Sequence, residues 1–282
     1  VNNKGILYIV ATPIGNLSDL SQRALEILST VDFIAAEDTR HSQRLLQHYA
    51  INTPSRALHE HNEQQMAQQL LQKLQQGQHI ALISDAGTPL ISDPGAKLLQ
   101  ILHQQKITVI PIPGPCALIA ALSVAGFSAD KFVFEGFLPV KAHARLQRLQ
   151  QLRAESRTLV FYEAPHRIQA CVQTMVEVFG AQRLGALVKE ISKCHETIFH
   201  APLTEIAAWL AENPRHQKGE FVLVLAGAPA VDKQQLTVEA QQLLHRLLAY
   251  LSLKDASQLA SEITGLSKKS LYQYGLMDLK CV

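Results

Sequence analysis

His79-Ile80-Ala81-Leu82-Ile83-Ser84-Asp85-Ala86-Gly87-Thr88-Pro89 takes a short apolar run straight into a loop bearing glycine and proline, with Asp93-Pro94-Gly95 close behind. The same device stands on either side of it. Leu7-Tyr8-Ile9-Val10-Ala11 enters Thr12-Pro13-Ile14-Gly15-Asn16, and Ile107-Thr108-Val109-Ile110-Pro111 enters Ile112-Pro113-Gly114-Pro115-Cys116-Ala117. Short apolar runs separated by helical stretches predict a parallel sheet covered on both faces. Ligands of such sheets bind beyond the carboxyl ends of the strands. Three glycine loops at that edge therefore predict one concave site where main chain approaches a ligand closely.

Outward from these loops, the chain reads as two α/β domains with a helical extension: residues 1–117, 118–228 and 229–282. In the first, Ser21 is placed to cap a helix carrying Ala24, Leu25, Ile27 and Leu28. Phe33-Ile34-Ala35-Ala36 is a strand meeting Glu37-Asp38-Thr39-Arg40. Met66, Leu70, Leu71 and Leu74 form a helical stripe ended by Gly77. Ala117 to Ala125 is a small-residue crossover helix. In the second domain the strands fall at 132–137, 158–162, 184–189, 197–199 and 220–226, with helices around 141–154, 165–179 and 203–212. Pro165 is read at a first helical position and Gly180 just past an end. A hairpin-like return between Glu190 and Phe199 predicts a more mixed sheet than the first. Ala228-Pro229-Ala230-Val231-Asp232 reads as a linker. After it come one helix over 235–250 and a helical pair over 254–278, with Gly265 at the turn and Ser267-Lys268-Lys269-Ser270 opening the last helix. That pattern fits a helix-turn-helix unit, and simple packing explains it equally well.

Composition narrows the class. The 282 residues are 47% hydrophobic and 18% charged, as in a globular protein. No stretch approaches the ~18 uninterrupted apolar residues of a membrane span. The opening residues do not read as a secretion signal, because the apolar run after them ends at Pro13; cytoplasm is the expected location. A net charge of +2 gives no whole-chain argument for nucleic acid, leaving only local patches. Cys116, Cys171, Cys194 and Cys281 lie far apart, giving neither a disulfide framework nor a zinc motif. His59-Glu60-His61, the densest histidine knot, lacks further ligands, so no metal is expected.

None of the loops matches the dinucleotide or triphosphate glycine patterns, and no lysine stands ready for a phosphate. They carry acids instead, Asp85 and Asp93. Carboxylates and carbonyls beside glycine suit a ligand that is cationic or offers ribose hydroxyls. S-adenosylmethionine is both.

At this point the residues resemble a family. Thr12-Pro13-Ile14-Gly15-Asn16, Ala36-Glu37-Asp38-Thr39-Arg40, Ser84-Asp85-Ala86-Gly87-Thr88-Pro89, Pro113-Gly114-Pro115 and Lys189-Glu190 are similar to the tetrapyrrole (corrin/porphyrin) methylase superfamily, in its ribosomal RNA branch. The resemblance runs over nearly the whole chain. It implies a homodimeric S-adenosylmethionine enzyme that methylates the 2′-oxygen of a decoding-centre cytidine of 16S rRNA. It also implies a donor site between the two domains, held by Pro13, Asp85, Ala86, Gly87, Ile91, Cys116 and Ala117. Tyr162, Leu187, Gly219 and Glu220 are the expected walls from the second domain, with ordinary core packing the competing reading of Ile91 and Leu187.

A ribose hydroxyl is a poor acid, so a nearby base should take its proton, an effect of ~10²–10⁴-fold. Acids at strand ends are the candidates: Glu37 and Asp38, Glu163, and Glu190, with Lys189 if its pKa were depressed. Asp38 has a competing role, capping the next helix beside Arg40. For RNA, the run Lys141, Arg145, Arg148, Arg153 and Arg157 faces only Glu155 in its own segment and could contact phosphates; a solvated helix face explains it nearly as well. Arg40 with His41, and His166 with Arg167, follow strand ends and are the expected contacts to the target nucleotide. Two other readings stay open: a methyltransferase of the same fold acting on a tetrapyrrole or a protein side chain, and a ribosome-assembly factor that binds a nucleoside without catalysis.

Overall fold

The computed structural model describes residues 4–58, 63–229, 236 and 238–278. His59-Glu60-His61, Cys281 and most of the expected linker lie outside these residues. The chain divides into two compact units, Val1–Ala228 and Pro229–Val282.

The first unit holds two five-stranded sheets. Strands β1 (Ile6–Val10), β2 (Phe33–Ala36), β3 (Ser55–Ala57), β4 (Ile80–Ile83) and β5 (Thr108–Ile112) form the first, in the order β3-β2-β4-β1-β5, with every pairing parallel. Alternation splits each strand between two cores. Leu7, Ile9, Phe33, Ala35, Ile80 and Leu82 pack under α3 (Glu63–Gln75) and α4 (Ala96–Gln104). Val10, Ile34, Ala36, Ala81 and Ile83 pack under α1 (Gln22–Thr30) and α2 (Thr39–His48). Both faces are covered, so β2 and β4 are buried at every position. Pro111 is tolerated because β5 is an edge strand. β3, Ser-Arg-Ala, has no apolar signature and is defined by its pairing to β2 alone.

The second sheet, β6 (Phe132–Phe137), β7 (Thr158–Glu163), β10 (Phe221–Leu225), β8 (Leu184–Lys189) and β9 (Thr197–Pro202), runs in that order. β6 and β7 are parallel and the remaining pairs antiparallel, so the sheet is mixed as the hairpin at Glu190–Phe199 implied. One face packs under α6 (Ala142–Gln151), α7 (Ile168–Phe179) and α8 (Leu203–Glu212). The other packs on α5 (Ala117–Val124), whose Leu118, Ala121 and Leu122 meet Val160, Ala186, Val188, Val222 and Val224. The crossover helix thus covers the second sheet while its N-terminus stays at the third glycine loop. Pro165 is not at a first helical position: residues 165–167 form a turn, and α7 begins at Ile168 with Gly180 closing it at φ 92°.

In the second unit, α9 (Val238–Leu248), α10 (Leu253–Thr264) and α11 (Lys268–Asp278) enclose a small core of Ala240, Leu244, Ala256, Ala260, Leu266 and Leu271. Ser252 caps α10, its Oγ accepting from the Asp255 N–H, and Gly265 ends it at φ 70°. Leu259 and Ile263, though apolar, are 37% and 61% exposed. The inward face of α10 is Ala256, Ser257 and Ala260.

Candidate active site

The three glycine loops are stitched to one another by main chain. Thr12 and Gly87 exchange N–H···O bonds of 2.9 and 3.0 Å, and the Thr88 hydroxyl donates to the Pro115 carbonyl at 3.0 Å. Gly87 holds φ +81°, and a Cβ there would press on Ile14 Cγ2 at 3.3 Å, so this crossing requires glycine. The ends of β2 and β4 are braced by their acids: the Asp85 N–H donates to Glu37 Oε2 (3.3 Å), and the Asp38 N–H donates to Asp85 Oδ1 (3.0 Å).

Against these loops lies the second sheet, and between them is a cavity of about 360 Å³, within the range of small-molecule sites. From the first half it is lined by Ile14, Glu37, Asp85 to Thr88, Ile91 to Asp93, Cys116 and Ala117. From the second half come Phe137, Tyr162 to Pro165, Ile191 and Glu220 to Val222. The Tyr162 hydroxyl accepts from the Leu118 N–H at 3.0 Å, fastening β7 to the start of α5; burial and the neighbouring Cys116 push its pKa far up. The lining carries five carboxylates, Glu37, Asp85, Asp93, Glu163 and Glu220, and no lysine, arginine or histidine.

Of the residues expected to hold a donor, Asp85, Ala86, Gly87, Ile91, Cys116, Ala117, Tyr162 and Glu220 share this cavity. Pro13 sits one residue before the lining Ile14. Gly219, at φ +98°, gives Glu190 room: a Cβ would stand 2.6 Å from its carboxylate carbon. Leu187 requires correction. It is wholly buried on the helix-covered face with Phe161 and Leu223, because its parity in β8 points it away from the cavity.

Among the candidate bases, only Glu37 and Glu163 line the cavity. Burial, reinforced by the Asp85 and Asp38 charges, raises the Glu37 pKa. Asp38 is instead the N-cap of α2, ion-paired with Arg40 at 2.9 Å; the Arg40 hydrogen bonds hold it down to about 2, too weak a base for this task. The Lys189 ammonium donates to the Arg215 carbonyl. Glu190 faces Lys193: burial pushes its carboxyl up, but hydrogen bonds from Lys193 and the Glu220 N–H more than offset this and hold it low. Lys189 and Glu190 lie outside the lining. Lys193 bridges Glu190 and Glu220 at 2.9 and 3.0 Å and lays its stem over Gly15, while the Ser192 hydroxyl bonds the Asp19 carboxylate. These contacts clasp the two halves at the cavity rim.

The basic run also needs correction. Arg145 is only 7% exposed, on the inward face of α6 one turn before Leu149. Arg167 is held in an ion pair with the buried Glu163 and donates to the Leu138 carbonyl. Arg148 forms a two-pronged bridge to Glu135, an acid from β6 that the local sequence does not reveal. Arg40 and His166 remain exposed beside the strand ends. Sequence reading missed Ser92, Asp93, Phe137, Ile191 and Val222 as walls. Asp93 carried a signal, being the second acid of the glycine-loop segment.

Comparison with known proteins adds to this geometry. Residues 6–207 match the family Tetrapyrrole (Corrin/Porphyrin) Methylases, and residues 234–280 match the RsmI C-terminal HTH domain. The chain is 52% identical over 275 residues to Ribosomal RNA small subunit methyltransferase I of Escherichia coli O157:H7, covering 98% of this chain and 96% of that one. It is likewise 52% identical over 275 residues to the protein of the same name from Pasteurella multocida, covering 98% of each. Among solved structures it is similar to uroporphyrin-III C-methyl transferase from Thermus thermophilus complexed with S-adenyl homocysteine. There the TM-score is 0.55 at 17% identity, over 79% of this chain and 97% of that one.

Proposed function

The chain belongs to the tetrapyrrole (corrin/porphyrin) methylases, and on that premise we propose that it is an S-adenosylmethionine-dependent methyltransferase of small-subunit ribosomal RNA, acting on the ribose 2′-oxygen of a cytidine. The observation that carries the donor is the cavity wall: five carboxylates and no cationic side chain favour a positively charged, hydroxyl-bearing ligand over a phosphorylated one. The RNA substrate is supported by the names of relatives that match this chain end to end.

When bound, S-adenosylmethionine supplies a methyl carbon on a positively charged sulfur. The protein's part is position and charge. The stitched loops present main chain and the braced Asp85; Ile14, Ile91, Phe137 and Val222 exclude water; Tyr162 fixes the seam between the halves. Such positioning is worth about 7–11 kcal/mol of a barrier. The same acidic wall repels phosphate, so the target ribose must enter while its phosphates stay at the rim, where Arg40 and His166 are exposed. A nucleotide turned out of its stack meets that requirement. In this reading the domains divide as 1–117, 118–228 and 229–282, and the working unit is a homodimer in the cytoplasm.

The test is to incubate the protein with methyl-labelled S-adenosylmethionine and either 30S subunits, free 16S RNA or a corrin precursor. Label recovered in an alkali-resistant dinucleotide is the expected result. Label on the corrin, or in an alkali-sensitive product, overturns the substrate; donor binding without transfer favours a non-catalytic assembly role.

A further inference from the structure

The cavity holds more carboxylates than a single cation needs, and they are not equivalent. Glu37 and Asp85 are tied down by backbone N–H groups, and together they brace the ends of β2 and β4. Glu163 is buried against Arg167, and Glu220 is bridged to Lys193. Among the described residues, Asp93 alone of the five has neither a main-chain N–H nor a basic side chain on its carboxylate; the buried Ser84 hydroxyl is close enough to act on its ionisation. Its loop is shaped to present it. Leu90 and Ser92, both just ahead of it, adopt left-handed backbone at φ 76° and 70°, a conformation costly for such residues. On the far side β6 bulges at Gly136, φ 61°, where a Cβ would meet Ser92 Oγ at 3.1 Å. Asp93 thus sits where the two halves meet, near enough to Tyr162 for their charges to interact.

We propose that Asp93 is the proton acceptor of the methyl transfer, a reading that rests on the ribose methylation set out above. As the ribose oxygen bonds the methyl carbon, the carbon–sulfur bond breaks, sulfur keeps the electron pair, and the hydroxyl proton passes to the Asp93 carboxylate. Ser84 serves both states. In the structure its hydroxyl donates to the Ala86 carbonyl at 3.3 Å; in the proposal it turns to the charged carboxylate, and once Asp93 is protonated it returns to Ala86 while the Asp93 O–H donates to Ser84 Oγ. Burial pushes the Asp93 carboxyl up to about 6, with Glu37 and Asp85 adding to the rise and the Ser84 bond opposing it. The other ionisable groups around the cavity are Glu163 and Tyr162 on β7, Cys116 before α5, and Glu220 before β10. Such a carboxylate is a stronger base than an ordinary one and is still ionised at neutral pH.

The experiment measures single-turnover methylation of 30S subunits across pH 5–8, with donor affinity by calorimetry, for wild type, Asp93→Asn, Asp93→Glu and Ser84→Ala. Expected for Asp93→Asn are a rate at least 100-fold lower, donor affinity within twofold of wild type, and loss of the rise in rate with pH. Asp93→Glu should restore part of both rate and pH dependence. Ser84→Ala removes the donor to the anion, so the midpoint of its profile should move to higher pH, a shift that a merely structural serine would not produce. An Asp93→Asn enzyme within tenfold of wild type with an intact pH profile overturns the role. So does a loss confined to donor binding, which would make Asp93 a ligand contact. A wild type silent on 30S subunits but able to bind the donor overturns the ribosomal substrate itself; an active wild type with an unaffected Asp93→Asn overturns only the base.

Discussion

At the scale of single residues, the cavity sets charge against stability. The Asp93 carboxyl lies above its ordinary value of 3.8, at about 6, because burial disfavours its ionised form. A raised acid gives its full stability below the unfolded value and loses it as pH rises through the folded one. At pH 7 the protein therefore carries the cost of a half-buried anion. Asp93→Asn should raise stability by about 1 kcal/mol at pH 7, discounted for the carboxyl's partial contact with solvent, and by nothing at pH 3.5. Chemical denaturation at the two pH values checks this; equal effects at both would detach the gain from ionisation. Gly87 is the second sensitive position. Gly87→Ala should cost about 1–2 kcal/mol from its φ of +81° and weaken donor binding through the pressed Ile14, read by calorimetry.

At the scale of elements, each strand end is tied to the helix that follows. Ser21 caps α1 through its Oγ and the Ala24 N–H, and Ser21→Ala should lower stability by about 1 kcal/mol without changing donor affinity. The junction of β7 and α7 is far more demanding. Glu163, 2% exposed, faces Arg167 across the turn. Glu163→Ala leaves the Arg167 guanidinium without its anion and should cost about 3–5 kcal/mol, seen as a lowered unfolding midpoint. A loss under 1 kcal/mol would mean that solvent reaches that guanidinium. These elements also mark how far the sequence can be read. β2 and β4 were legible because every residue is apolar, and Ser21 because a cap has a local signature. β3 was not, since Ser55-Arg56-Ala57 acquires its strand character only from β2. Leu187 was misplaced for the same kind of reason: Leu-Gly-Ala-Leu-Val-Lys is buried on both faces in the fold, so its sequence carries no parity.

At the scale of the whole molecule, every residue lining the cavity falls between Ile14 and Val222, inside the first compact unit. A protein ending at Ala228 should therefore fold and bind S-adenosylmethionine as the full chain does, while methylating 30S subunits more slowly if the helical unit contributes to RNA contact. Calorimetry and methyl incorporation separate the two effects. Loss of donor binding on truncation would show that the first unit is not self-sufficient.

The sequence by itself determined the parallel sheet, the mixed second sheet and the three glycine loops, because these rest on local quantities: apolar runs, periodicity and the conformational freedom of glycine. It also showed that these loops carry acids and not lysines. Only the tertiary structure decided which acids share the cavity, that Arg145 turns inward, and that Asp93 stands there without a main-chain or basic partner among the described residues. Those facts depend on burial and on charges brought together from distant strands, and neither is a property of any one stretch of chain.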